Sequence, residues 1–137
     1  MLFRSRFEKL NKKGQLLQLF GQSLTPLPEG VSAVQKPMAR LHSSQSRVLE
    51  IKADRGSFIA PENQPRSGEF SDNVVVTVYE SPRGRNVDLS PESKDIKLRA
   101  YLQDARFDLQ LGQIDSNGLV HLTSDRMDFR GRGLSMT

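Results

Sequence analysis

From Val48 onward the chain alternates apolar and polar residues with a period of two, and this spacing commits most of it to strands. Leu49, Ile51 and Ala53 alternate with Glu50, Lys52 and Asp54; Val74, Val76 and Val78 share one face, with Val75, Thr77 and Tyr79 on the other. The pattern continues in Ile96, Leu98, Ala100 and Leu102, and again in Phe107, Leu109 and Leu111. Turn-forming stretches separate the runs: Pro61 to Gly68, Ser81-Pro82-Arg83-Gly84, Ser90-Pro91 and Ser116-Asn117-Gly118. Short alternating strands joined in this way predict an antiparallel all-β protein with one apolar face.

Residues 1–47 carry a weaker pattern. Phe7, Leu10, Leu16, Leu17 and Phe20 predict a short helix broken at Gly14 and ended near Gly21. The prolines of Ser23-Leu24-Thr25-Pro26-Leu27-Pro28 predict an extended connector, and residues 42–46 a loop. The expected organisation is therefore a basic, poorly structured or short-helical N-terminal segment over 1–47 and a β-domain over 48–137. Met1 to Ser5 read as a candidate non-native leader.

The strands repeat. Asp54-Arg55-Gly56-Ser57-Phe58 returns as Asp125-Arg126-Met127-Asp128-Phe129, with a shorter version at Asp104-Ala105-Arg106-Phe107. Gly68-Glu69-Phe70-Ser71-Asp72-Asn73-Val74-Val75-Val76 corresponds to Gly112-Gln113-Ile114-Asp115-Ser116-Asn117-Gly118-Leu119-Val120-His121-Leu122. The unit reads as a hairpin in which Asp and Asn mark turn ends, Gly supplies a positive φ or a bulge, and Phe anchors the apolar face. A hairpin cannot bury that face alone, so stacking of similar hairpins is expected. The last unit stops at Thr137 without a partner strand, which predicts a chain truncated at its C-terminus.

Several kinds of chemistry lack their residues. The chain has no cysteine, which removes disulfides, thiolate metal sites and thiol nucleophiles. Its two histidines, His42 and His121, lie far apart without a carboxylate pair in sequence beside either, so no metal or other cofactor is expected. A nucleophile elbow, a phosphate-binding loop and a dinucleotide fingerprint are all missing. Asp54, Asp104 and Asp125 read as turn-capping residues rather than catalytic acids. No enzyme is predicted.

The net charge of +4 is unevenly placed: residues 1–47 hold eight Lys and Arg against two acids, and residues 48–137 twelve against fourteen. Positive charge is thus segregated from the strands, and Arg83-Gly84-Arg85 and Arg130-Gly131-Arg132-Gly133 are too few for an arginine–glycine tract, so nucleic acid is not an expected partner. No apolar run approaches the roughly 20 residues that carry a helix across a bilayer.

Ala53-Asp54-Arg55-Gly56-Ser57-Phe58, Gly68 to Val76, and Thr123-Ser124-Asp125-Arg126-Met127-Asp128-Phe129-Arg130-Gly131-Arg132-Gly133-Leu134 resemble the repeats of the periplasmic lipopolysaccharide-transport family, the LptC/LptA/OstA-like β-jelly rolls, and most nearly its LptC-like members. The resemblance covers residues 48–137. The loop Ala60 to Ser67 and the segment Tyr79 to Lys94 are longer than the family pattern, and its N-terminal membrane anchor is not present in the sequence.

The resemblance implies an open, V-shaped antiparallel jelly roll that holds lipopolysaccharide or a related lipid by its acyl chains in an apolar trough. It also implies a periplasmic location, anchorage to the inner membrane through an absent anchor or a partner complex, and edge-to-edge β-augmentation with other jelly-roll domains. The residues expected to line the trough are Leu49, Ile51, Phe58, Phe70, Val74, Val76, Val78, Ile96, Leu98, Phe107, Leu109, Leu111 and Phe129. An interior for acyl chains needs such side chains and no unpaired charge. The alternative is a non-enzymatic structural β-repeat segment of a larger cell-envelope protein, with the same side chains closed into a filled core.

Overall fold

The computed structural model describes residues 5–10, 14–59, 66–82, 85–108 and 111–136. They form eleven strands: β1 (Ser5–Leu10), β2 (Leu16–Gly21), β3 (Ser23–Pro26), β4 (Val31–Gln35), β5 (Met38–Ser44), β6 (Arg47–Lys52), β7 (Arg55–Ile59), β8 (Ser67–Glu80), β9 (Ile96–Asp108), β10 (Gln113–Thr123) and β11 (Asp128–Met136). A single 3-10 turn, Pro28–Gly30, is the only helical element among the described residues. The all-β fold read from the period-two runs is the fold observed: one open antiparallel sheet that does not close into a barrel.

Strand β8 is its keystone. One edge of β8 carries β7 along Ser67–Ser71 and then β6 along Val75–Glu80, while the other edge carries β9. Thus β6 and β7 lie end to end, separated only by Ala53 and Asp54. The same holds for β5 and β4 across Lys36-Pro37, and for β2 and β3 across Gln22. Each pair is one long strand bent in the middle.

The bends line up. Backbone hydrogen bonds run from Gln22 N to Gln35 O (2.9 Å), from Lys36 N to Asp54 O (2.9 Å) and from Asp54 N to Asp72 O (2.9 Å). Across β8 the line continues as register shifts between Ser71 and Val74, in β10 between Ser116 and Leu119, and in β11 at Gly133 with φ +83°. Lys36, Asp72 and Asn73 adopt φ of 51°, 65° and 54°, the left-handed region that Asp and Asn tolerate better than most residues. A single crease therefore crosses the sheet and divides it into two half-sheets.

This crease explains the core. A lone sheet exposes both faces, yet Leu17, Ala39, Ile51, Phe70, Ala100 and Ile114 are fully buried. With no helix among the described residues to cover them, the cover comes from the sheet folding on itself about the crease. Alternate residues of each strand then pack in one cluster drawn from both half-sheets, with the alternation in β9 shifting by one between Leu102 and Ala105. Phe58 and Phe70 meet edge to face with ring centroids 5.9 Å apart. Gly68 makes room for this contact, since a Cβ there would lie 2.8 Å from the Phe58 ring.

Four expectations of secondary structure are corrected. The short helix expected between Phe7 and Phe20 is a hairpin of β1 and β2, with Arg6 opposite Phe20 and Leu10 opposite Leu16. Leu17, Leu19 and Gly21 are buried and alternate with half-buried neighbours, so the five-residue run Leu16–Phe20 satisfies a strand once β5 pairs with it. Such a short run cannot decide between helix and strand by itself. The expected connector over 23–30 contains β3 and the 3-10 turn, and the expected loop at 42–46 is the end of β5 and a tight turn. The boundary expected at 47/48 falls at the start of β6, and hydrogen-bonded ladders run across it. Ser116-Asn117-Gly118, expected as a turn between strands, is a bulge inside β10. Of the turn expected from Pro61 to Gly68, residues 61–65 lie outside the described residues and Ser67 and Gly68 open β8, while of Ser81 to Gly84 the residues Arg83 and Gly84 lie outside them.

Candidate binding groove

Of the residues expected to line a trough, Leu49, Ile51, Phe58, Phe70, Val74, Val76, Val78 and Phe107 are brought into one core, each at most 8% exposed. Leu98 packs against that core from its margin, and Ile96 is half-buried. Leu109 lies outside the described residues. Leu111 and Phe129 are 47% and 52% exposed and are not interior side chains. Leu111 follows the end of β9 in the turn that leads into β10, where the alternation of the strand no longer governs side-chain direction. The interior is filled by its own side chains.

Phe129 has a different setting. It pairs with Leu122 on the core-facing side of β11, and among the described residues β11 pairs with β10 alone. Its ring lies against Gly131, where a Cβ would come within 2.7 Å of it. Met127 and Phe129 are exposed at this flank and Leu119 on the opposite face of β10, while Leu122 and Leu134 reach inward to the core.

Asp54, read from the sequence as a turn-capping residue, has a partner that the sequence did not single out, Lys36. Asp54 sits on the crease and accepts hydrogen bonds from Lys36 Nζ (2.9 Å) and Asn73 Nδ2 (2.7 Å). These two bonds, the Lys36 one first, hold the Asp54 carboxyl below its ordinary pKa. Next to it, Arg55 Nε donates to Asp72 Oδ2 at 2.7 Å. Asp54, Asp72 and Asn73 therefore mark a strand bend rather than turn ends. The sequence signal was the recurrence of Asp and Asn; only the pairing of β6, β7 and β8 places them side by side. Asp104 and Asp125 do not join this cluster: Asp104 is exposed within β9, and Asp125 lies in the turn between β10 and β11.

The outer face of the first half-sheet carries a second network. Glu50 is 2% exposed and accepts a hydrogen bond from Arg40 Nε at 2.8 Å. Burial, and secondarily the Glu50 charge, raise the pKa of Tyr79, while His42 is held below its ordinary value by burial and then by Arg40. His42 Nε2 lies 2.6 Å from Gln18 Oε1. The segment 85–95 straps this face through Asp95, which takes Arg85 Nη2 at 2.6 Å and the Asp88 N–H at 2.9 Å. Between strap and sheet runs a groove of about 620 Å³ bordered by Arg40, Lys52, Arg99 and Tyr101.

Among the described residues, no three His, Cys, Asp or Glu side chains gather as metal ligands, and no helix is long and apolar enough to cross a membrane. His121 pairs with Asp128 at 2.8 Å, and its ring lies beside that of Tyr101 with centroids 5.8 Å apart. No family model and no curated protein matches the chain.

Proposed function

We propose that this protein is a non-enzymatic carrier or bridge module of the bacterial cell envelope, located in the periplasm, that shields the acyl chains of lipopolysaccharide or a related lipid between its two half-sheets. The observation that carries this reading is the creased, unclosed sheet whose only apolar interior lies between the two halves and whose margin at β11 is left bare. Burial of apolar surface, worth roughly 25 cal/mol per Å², supplies the holding force without chemistry at the lipid. Among the described strands β1, β3 and β11 each pair on one side only. Those edges suit β-augmentation by neighbouring jelly-roll domains, and membrane association then comes through the assembly.

The second reading, a structural β-repeat segment of a larger envelope protein, is favoured by one observation: the interior side chains already fill the space between the halves. Lipid binding separates the two. The purified chain is titrated with lipopolysaccharide micelles carrying a fluorescent label, at low and at high salt. A carrier gives saturable binding that is competed by unlabelled lipid and persists at high salt, because apolar burial is not screened. Absence of binding at both salts assigns the structural role, and binding lost steeply with salt marks attraction by the basic N-terminal region alone.

A further inference from the structure

An acyl chain has no route into this interior unless some wall moves, since Ile51, Phe70, Val76, Ala100 and Phe107 are at most 1% exposed. Two parts of the crease differ in their capacity to move. Where it crosses β4 to β8, Lys36, Asp54 and Asn73 are joined by side-chain hydrogen bonds, and Arg55 is joined to Asp72. Where it crosses β9 to β11, no side-chain hydrogen bond ties Asp104, Asn117 or the flanking glycines to a described residue. There the bend rests on Gly118, whose missing side chain faces open space, and on Gly133 at φ +83°.

We infer that the β10–β11 flank is a movable wall, turning about Asn117-Gly118 and Gly133, through which an acyl chain is admitted past the Phe129 ring. The inference rests on the carrier reading for its ligand. Three further observations lie on this flank. Ser116 Oγ is buried without a hydrogen-bond partner beside the bulge, so the closed state carries a local cost that opening to water removes. Phe129, on the core-facing side of β11 opposite Leu122, is 52% exposed, giving an incoming chain apolar contact before it reaches the core. Leu122 and Leu134, on either side of the bend, are the partly buried residues that the moving wall would withdraw from the core. Glycine at the bends matters because it passes between left-handed and extended backbone without steric penalty.

The chain has no native cysteine, so nitroxide labels report cleanly. One pair, Arg130→Cys with Ser135→Cys, spans the bend in β11; a second, Lys52→Cys with Ser57→Cys, spans the hydrogen-bonded bend between β6 and β7. EPR distance measurements on the lipid-free protein are expected to give a broad distribution for the first pair and a narrow one for the second. Lipopolysaccharide micelles should shift only the first pair to longer distance. Gly118→Val, which meets no atom within 4 Å, is expected to fold and to narrow the first distribution. Two equally narrow distributions, with and without lipid, overturn the movable wall.

Benzoylphenylalanine placed at Phe129 and, as a control, at Ile59 reads the ligand separately. Crosslinking of lipopolysaccharide at 129 and not at 59 supports the admission route. Crosslinking at 129 with two rigid bends rejects the moving wall and keeps the carrier. Motion at β11 with no crosslink at 129 rejects admission of lipid there, and with no lipid bound in titration it rejects the carrier reading.

Discussion

The two flanks of the crease solve the same geometric problem with different means. On the β4–β8 flank the bend is built from non-glycine residues in left-handed backbone, held by Lys36, Asp54, Asn73, Arg55 and Asp72. On the β9–β11 flank it is built from a bulge and two glycines without such ties among the described residues. A bend fixed by side chains resists change because several contacts must break together. A bend permitted by glycine is held only by whatever packs against it. The contrast separates a rigid frame from a compliant margin within one continuous sheet.

The sharpest way to break this comparison is a matched pair of truncations. Phe70→Ala, in the frame, should destabilise the protein by about 3–5 kcal/mol through the cavity it leaves, whereas Phe129→Ala should cost less than about 1 kcal/mol, because half of that ring is already in water. Chemical denaturation of both variants measures the difference, and equal losses would place Phe129 in the core. Next in size is Glu50→Ala on the outer face of the frame. It strands Arg40, which is itself about a fifth exposed, so a loss of roughly 2–3 kcal/mol is expected by the same measurement.

The smallest effect is in pH. Asp54 has its pKa lowered in the fold, so its contribution is fully present above the unfolded value of about 3.9 and is lost as pH falls through the lower folded value. His42 is lowered as well, so its penalty appears as pH falls below about 6.5, where the unfolded chain takes up the proton more readily. Thermal melts from pH 8 downward should therefore show a first decline near the histidine range that His42→Gln flattens. A second decline, in the acid range, should be reduced by Asp54→Asn. A melting temperature unaffected by either substitution across both ranges would remove both groups from the linkage.

Legibility followed the length of the strands. The alternation at 49–53, 74–78 and 96–102 is long enough to assign strands and to name most of the core, including Ile51, Val76 and Phe107. Leu16 to Phe20 is five residues with a glutamine at its centre, too short for periodicity to choose, and pairing with β5 decides it. The Asp and Asn of the repeat were visible, but their place was not. A bulge within a strand and a turn between strands draw on the same residues, and only the register of β8 against β6, β7 and β9 distinguishes them. Glu50 was read as the solvent-facing partner of Leu49 and Ile51; it is buried because the outer face of β6 is covered, which the alternation of a single strand does not reveal.

Because every long strand bends at the same transverse line, the fold has a built-in ruler. Another hairpin with an Asp or Asn at the matching position, or with a glycine bulge, would align its own bend with the rest and lengthen the sheet sideways without disturbing the angle between the halves. An architecture of this kind can be extended by repeating a short segment without altering its cross-section.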